Sequence, residues 1–144
     1  MDARVQRRAQ AARASGTFAF HTWIREAISS DMPYDQFARQ ILAATGDESQ
    51  SPTAVWYKEL TDPQQFVDDT AQVFLGVRIA CAQCHHHPSE KWAQEDYFGL
   101  AGFFTGVTRK PLAVGGERVV SRGGPDLPHP RTGAVIGTEA RGSA

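Results

Sequence analysis

Both cysteines of the chain and three of its five histidines fall within one run, Cys81-Ala82-Gln83-Cys84-His85-His86-His87-Pro88. It is the one place in the sequence where chemistry is visible. A Cys-x-x-Cys-His run is the attachment pattern of a c-type haem, in which two thiolates add to the vinyl groups and the next imidazole ligates the iron. On that reading Cys81 and Cys84 are thioether anchors and His85 is the proximal ligand. A backbone carbonyl would take the proton of its other ring nitrogen and fix the tautomer. His87 cannot reach the opposite face of the same iron, because two residues span at most about 7 Å and the macrocycle stands between.

Three other readings fit the same residues. A redox dithiol needs only Cys81 and Cys84, but such motifs ordinarily accompany an alternating βαβ pattern, and none is visible. Zinc is the second, with Cys81, Cys84, His85 and His87 as legitimate ligands. Zinc sites usually draw ligands from a dozen or more residues away, which makes His129 the expected remote partner. The third is two buried thiols beside solvated histidines.

At 144 residues and 41% hydrophobic the chain suits one domain with one modest core. Sixteen acids against fifteen Lys plus Arg leave a net charge of −1, which favours neither nucleic acid nor an anionic membrane as partner. No apolar run reaches transmembrane length, and the N-terminus lacks the apolar stretch of a signal peptide. Haem is attached to cysteines outside the cytoplasm. The motif therefore implies an extracytoplasmic, periplasmic or cell-surface setting, with this chain an internal segment of a larger exported protein.

Residues 1–16 are rich in Arg and Ala and fit a helix without an apolar stripe, so they read as a solvated or frayed helical segment, with faint transit-peptide character in Arg4, Arg7, Arg8 and Arg13. From Phe18 the pattern is helical. Phe20, Trp23, Ile24, Ala27 and Ile28 predict a helix over 18–30, and Tyr34, Phe37, Ala38, Ile41 and Leu42 predict a second over 34–45. Asp31-Met32-Pro33 separates them, and Gly46 stands where a C-terminal glycine belongs. Residues 46–52 read as a polar loop, and the period of Val55, Trp56, Tyr57 and Leu60 fits no single element. Asp62 at an N-cap, Pro63 at the first helical position and Gln65 at the third open a helix over 63–77 with Phe66, Thr70, Val73, Phe74 and Val77 on one face.

The motif follows that helix, and a last helix is predicted over 94–105 with Tyr97, Leu100, Ala101 and Phe104 on one side. Glu95 and Asp96 in its first turn complement the helix dipole, or partner an imidazole. Gly115-Gly116 between Leu112-Ala113-Val114 and Val119-Val120 signals a hairpin, and a Gly- and Pro-rich stretch follows. The fold expected is mainly α: about four helices around the Cys-x-x-Cys-His motif in residues 17–110, then a hairpin or extended tail over 111–144.

The run from Asp69 to His85, with His87-Pro88, Trp92, Gln94, Asp96-Tyr97, Gly99-Leu100 and Phe103-Phe104, resembles a planctomycete-type cytochrome-c-like domain family of unknown function. Trp23-Ile24, Met32 to Phe37 and His129-Pro130-Arg131-Thr132-Gly133 match its flanking motifs, so the likeness covers about 17–136. Ser89 departs from the aromatic often found there. The resemblance implies a covalent haem c, an electron-transfer role, a redox partner and neighbouring domains of the same parent protein.

A distal ligand is then sought among His129, His21 and Met32. His129 comes first because it lies in a family motif and because Pro128 and Pro130 stiffen its loop. Arg78, Lys91 and Arg131 are available to the propionates. The expected function is a c-type haem electron-transfer module. The alternatives are a haem enzyme with an open distal side, and a zinc-bearing or metal-free interaction module. Ser89 is the only serine near a base and makes no nucleophile–base–orienter set.

Overall fold

In a computed structural model the backbone is described at residues 3–47, 49–58, 60, 62–113, 116–125 and 127–136, with side chains for these except 3–10, 12 and 13. Two units are distinguished: Met1–Glu59 with Thr108–Ser121, and Leu60–Val107 with Arg122–Ala144. Helices predominate, with small sheets, as the hydrophobic periods require.

In the first unit, α1 runs unbroken over Ala3–Ser29 and takes in the segment that the lack of a stripe set apart. Gly16 is buried and shares a face with Phe20, Trp23 and Ala27 at i, i+4, i+7 and i+11. Ile28, one position past that face, is 70% exposed, so it leaves the expected stripe. The helix ends in a Schellman turn: Met32 N–H donates to the Ala27 carbonyl at 2.9 Å and Asp31 N–H to that of Ile28 at 3.1 Å. Asp31 takes the left-handed conformation at φ 56° that glycine usually occupies there.

Pro33 then admits α2, Tyr34–Leu42, and Trp23 stacks on Phe37 with ring centroids 5.1 Å apart. This helix is shorter than its stripe predicts, and Gly46 is not its terminal glycine. Gly46 instead enters β1, Gly46–Asp47, opposite Val119. β1, β2 (Val107–Pro111) and β3 (Glu117–Ser121) form a three-stranded sheet with β3 in the middle. The predicted hairpin is therefore present with earlier strand starts, closed by Leu112 N–H on the Gly116 carbonyl at 3.0 Å. Val114 and Gly115, which carried part of that expectation, lie outside the described residues.

Pro52–Tyr57 is a 3-10 helix, which explains why its period fitted neither α nor β. Ala54 and Tyr57, three apart, eclipse and are both buried. The Tyr57 hydroxyl donates to the Leu42 carbonyl.

In the second unit, α3 spans Pro63–Thr70, and the Asp62 carboxylate accepts the Gln65 N–H at 2.9 Å, the expected cap. A π turn, Ala71–Leu75, replaces the predicted continuation and ends at Gly76, left-handed at φ 69°. Along this widened turn Phe74 stays buried, as does Thr70 before it, and Val73 is turned out, 57% exposed. A 3-10 helix, Ile79–Gln83, carries Cys81 and is capped by Cys84, and α4 follows at Gln94–Gly102. Phe66 and Phe104 stack at 5.4 Å, and Val67, Ala71, Ile79, Tyr97 and Ala101 are fully buried. β4 (Leu127–Pro128) and β5 (Val135–Ile136) pair antiparallel, Leu127 opposite Ile136, and pack on α4. The motif is thus flanked by α3 and α4, whereas α1 and α2 build the first unit.

Candidate functional site

The cysteines sit on a 3-10 turn held by its apolar side. Ile79 and Ala82, three apart, are both 0% exposed, and burying an isoleucine contributes about 1.5–3 kcal/mol. Residues three apart on a 3-10 turn lie along one edge, so Cys81, within the helix, and Cys84, its C-cap, fall along a second edge. That edge faces solvent: both thiols are exposed and unbridged. With a rise near 2 Å per residue their Cα atoms stand roughly 6 Å apart, inside the range that a disulfide spans. The reading of two buried thiols is corrected.

The imidazoles have fixed roles because their partners have fixed polarity. A carbonyl only accepts, so the contact of His85 Nδ1 with the His86 carbonyl at 2.7 Å is a donated N–H. His85 Nε2 therefore carries a lone pair. His87 is bonded at both nitrogens: its Nδ1 accepts the Ser89 N–H at 3.2 Å and its Nε2–H donates to the Arg78 carbonyl at 3.1 Å. Its role is to close the loop after the motif, with its own N–H on the Trp92 carbonyl at 2.9 Å.

His129 is 3% exposed. Its Nδ1 accepts the N–H groups of Arg131 and Thr132, both at 3.2 Å, which leaves the proton on Nε2. That nitrogen faces Glu95 Oε1 at 3.6 Å, too far for a hydrogen bond. Glu95 is thus the carboxylate beside an imidazole, but beside His129 rather than the cluster at 85–87. Asp96 caps α4 by accepting the Ala93 N–H at 2.8 Å.

These placements overturn the cofactor expectations. Among the described residues no three His, Cys, Asp or Glu side chains converge as a group that holds a metal ion. His87 bonds through both ring nitrogens and His129 through Nδ1 alone, its Nε2 being buried without a hydrogen-bond partner; His85 turns one nitrogen back to its own chain, and both cysteines are exposed. Neither a covalent haem c ligated by His85 and His129 nor zinc held by Cys81, Cys84, His85 and His87 is supported. The other distal candidates, His21 and Met32, lie in the first unit.

Beneath the turn is a polar layer that the sequence did not single out. Tyr97 is fully buried, and its hydroxyl lies 3.4 Å from the Gln64 carbonyl. Burial, then the neighbouring Asp68, pushes that phenol far above its ordinary range, and the Cys84 sulfur is close enough to add to the effect. Burial also raises the Asp68 carboxyl, against the Tyr97 hydroxyl that bonds it, while Asp68 Oδ1 has no partner. Gln94 is 3% exposed and donates from Nε2 to the Gln83 carbonyl at 2.8 Å. A glutamine opening a helix normally reads as solvated, so its spacing gave no signal. The one available hint was its place on the same side of α4 as Tyr97 and Ala101, at i, i+3 and i+7.

The family PSCyt2, described as a protein of unknown function (DUF1549), matches residues 2–109. The match takes in the N-terminal segment and ends before His129-Pro130-Arg131-Thr132-Gly133, so the flanking motif expected there falls outside it. No curated protein and no solved structure matches the chain.

Proposed function

The chain belongs to the PSCyt2 family of proteins of unknown function, and we propose that its Cys81–Cys84 turn is a dithiol that exchanges electrons with a disulfide-bearing partner. The observation that carries this reading is the pair itself: two free, exposed cysteines three residues apart, Cys81 within a 3-10 helix anchored in the core by Ile79 and Ala82 and Cys84 at its C-cap. A preset pair closes a disulfide with little further loss of backbone freedom, which is the requirement of a reversible two-electron couple.

The chemistry balances without a metal. One thiolate attacks a sulfur of the partner disulfide, that S–S bond breaks, and the departing partner thiolate takes up a proton. The second thiolate attacks the mixed disulfide, the Cys81–Cys84 bond forms, and the second partner thiol leaves. Two electrons and two protons pass to the partner. His85 follows Cys84 directly, and with Nδ1 turned to the His86 carbonyl its other ring nitrogen is the candidate base for the thiol proton. A dithiol of this kind meets disulfide-bearing partners in an oxidising, extracytoplasmic setting, which is the setting this reading calls for.

Trapping separates the two steps. Reduced wild-type protein mixed with an aromatic disulfide reagent is expected to release two reporter thiols and keep no adduct. Cys81→Ser and Cys84→Ser variants are each expected to release one and retain the mixed disulfide. Wild-type protein that retains two adducts has thiols acting singly, and the reading fails.

A further inference from the structure

We propose that Gln94 is the positioning residue of this dithiol, a clamp that holds the Gln83–Cys84 peptide in place; the inference rests on the dithiol reading. The turn is secured unequally along its length. Its first part is anchored by Ile79 and Ala82, both fully buried. At its end the turn closes on itself only through Cys84 N–H and His85 N–H, each 3.4 Å from the Cys81 carbonyl, long for such bonds. The firmest hold on the Cys84 side is the 2.8 Å bond from Gln94 Nε2 to the Gln83 carbonyl, which belongs to the same peptide unit as the Cys84 nitrogen. The atom facing a carbonyl must be the amide NH2 group, so the orientation of Gln94 follows from its partner.

Stability alone does not account for this residue. Gln94 is 3% exposed, and its Oε1 is buried with no hydrogen-bond partner. A methionine or leucine of similar reach would fill that space without a desolvated, unpaired oxygen. What an apolar side chain cannot supply is a donor to the Gln83 carbonyl. Gln94 opens α4, whose start is fixed by the Asp96 cap on Ala93, so the clamp is mounted on a rigid element. Holding Cys84 in register with Cys81 raises the effective concentration of one sulfur at the other and favours the intramolecular disulfide.

The test uses the whole chain as wild type, Gln94→Ala and Gln94→Met, the last keeping the volume if the smaller side chain unfolds the unit. Two quantities are read: the equilibrium constant for Cys81–Cys84 disulfide formation against a glutathione buffer, and hydrogen exchange at the Cys84 amide in the reduced proteins. Loss of the clamp is expected to shift the constant toward the dithiol by about two- to tenfold, the range of one net hydrogen bond, and to speed exchange at Cys84. Folded variants with the wild-type constant and wild-type Cys84 exchange overturn the proposal. A wild-type chain that forms no intramolecular disulfide sinks the dithiol reading instead. The exchange arm then judges the clamp by itself, with unchanged protection in Gln94→Met refuting it and lost protection upholding it.

Discussion

Asp68 shows what a single charge does when it is carried into the second unit. Burial raises its carboxyl above the ordinary 3.8, with the Tyr97 hydroxyl only partly offsetting the effect. The folded state therefore holds this proton more tightly than the unfolded chain. Its contribution favours folding at low pH and is lost as pH rises through the folded value. Asp68→Asn keeps an acceptor for Tyr97 and removes the buried charge, so its thermal midpoint at neutral pH is expected to lie above the wild type, with the two converging at low pH. A lower midpoint at neutral pH would contradict this.

Tyr57 gives the complementary case in the first unit. Burial pushes its hydroxyl from 10.0 to about 12, so the unfolded chain ionises first and stability falls between those two values. Tyr57→Phe removes that loss together with the bond to the Leu42 carbonyl. A chemical-denaturation series from pH 9 upward should show the wild type declining more steeply than the variant; parallel curves would refute the assignment. Residue roles of this kind were legible only where they are local. The Asp62 cap follows from Asp-Pro-x-Gln spacing, whereas the tautomers of His85, His87 and His129 depend on carbonyls and N–H groups that the fold brings into reach.

At the scale of elements, periodicity located the helices and misplaced their ends. Gly46 looked like the end of α2 and became a strand residue because β3 offers it a partner. Gly76 carried no such signal, yet it ends the helical run in a left-handed conformation with open space where a side chain would go. Gly76→Ala is therefore expected to cost about 1–2 kcal/mol from backbone strain alone, with Gly76→Asn recovering part of it. Gly106 differs in kind. Its Cβ would stand 1.5 Å from the Arg122 carbonyl oxygen, whose own N–H donates to the Gly106 carbonyl at 3.0 Å. Gly106→Ala must push backbone apart, and denaturant midpoints should rank wild type above Gly76→Ala above Gly106→Ala. The reverse order would place the close approach in error. The π turn and the two 3-10 helices escaped the sequence reading because their periods lie between the two templates that hydrophobic spacing distinguishes.

For the whole molecule, the run from Cys81 to Pro88 is where the sequence gathers its cysteines and most of its histidines, and those residue types suggested a metal. Composition names available ligands and says nothing of where their lone pairs point. Here the fold spends both nitrogens of His87 on a loop and Nδ1 of His129 on a hairpin, and Cys81, Cys84 and His85 are each left exposed. The most direct measurement of that account is the intact mass of the reduced chain after equilibration with oxidised glutathione. The dithiol account predicts a single product lighter by two hydrogens, with no glutathione attached, restored to the starting mass by a dithiol reductant. A chain that keeps its reduced mass, or that accumulates one or two stable glutathione adducts, would contradict it.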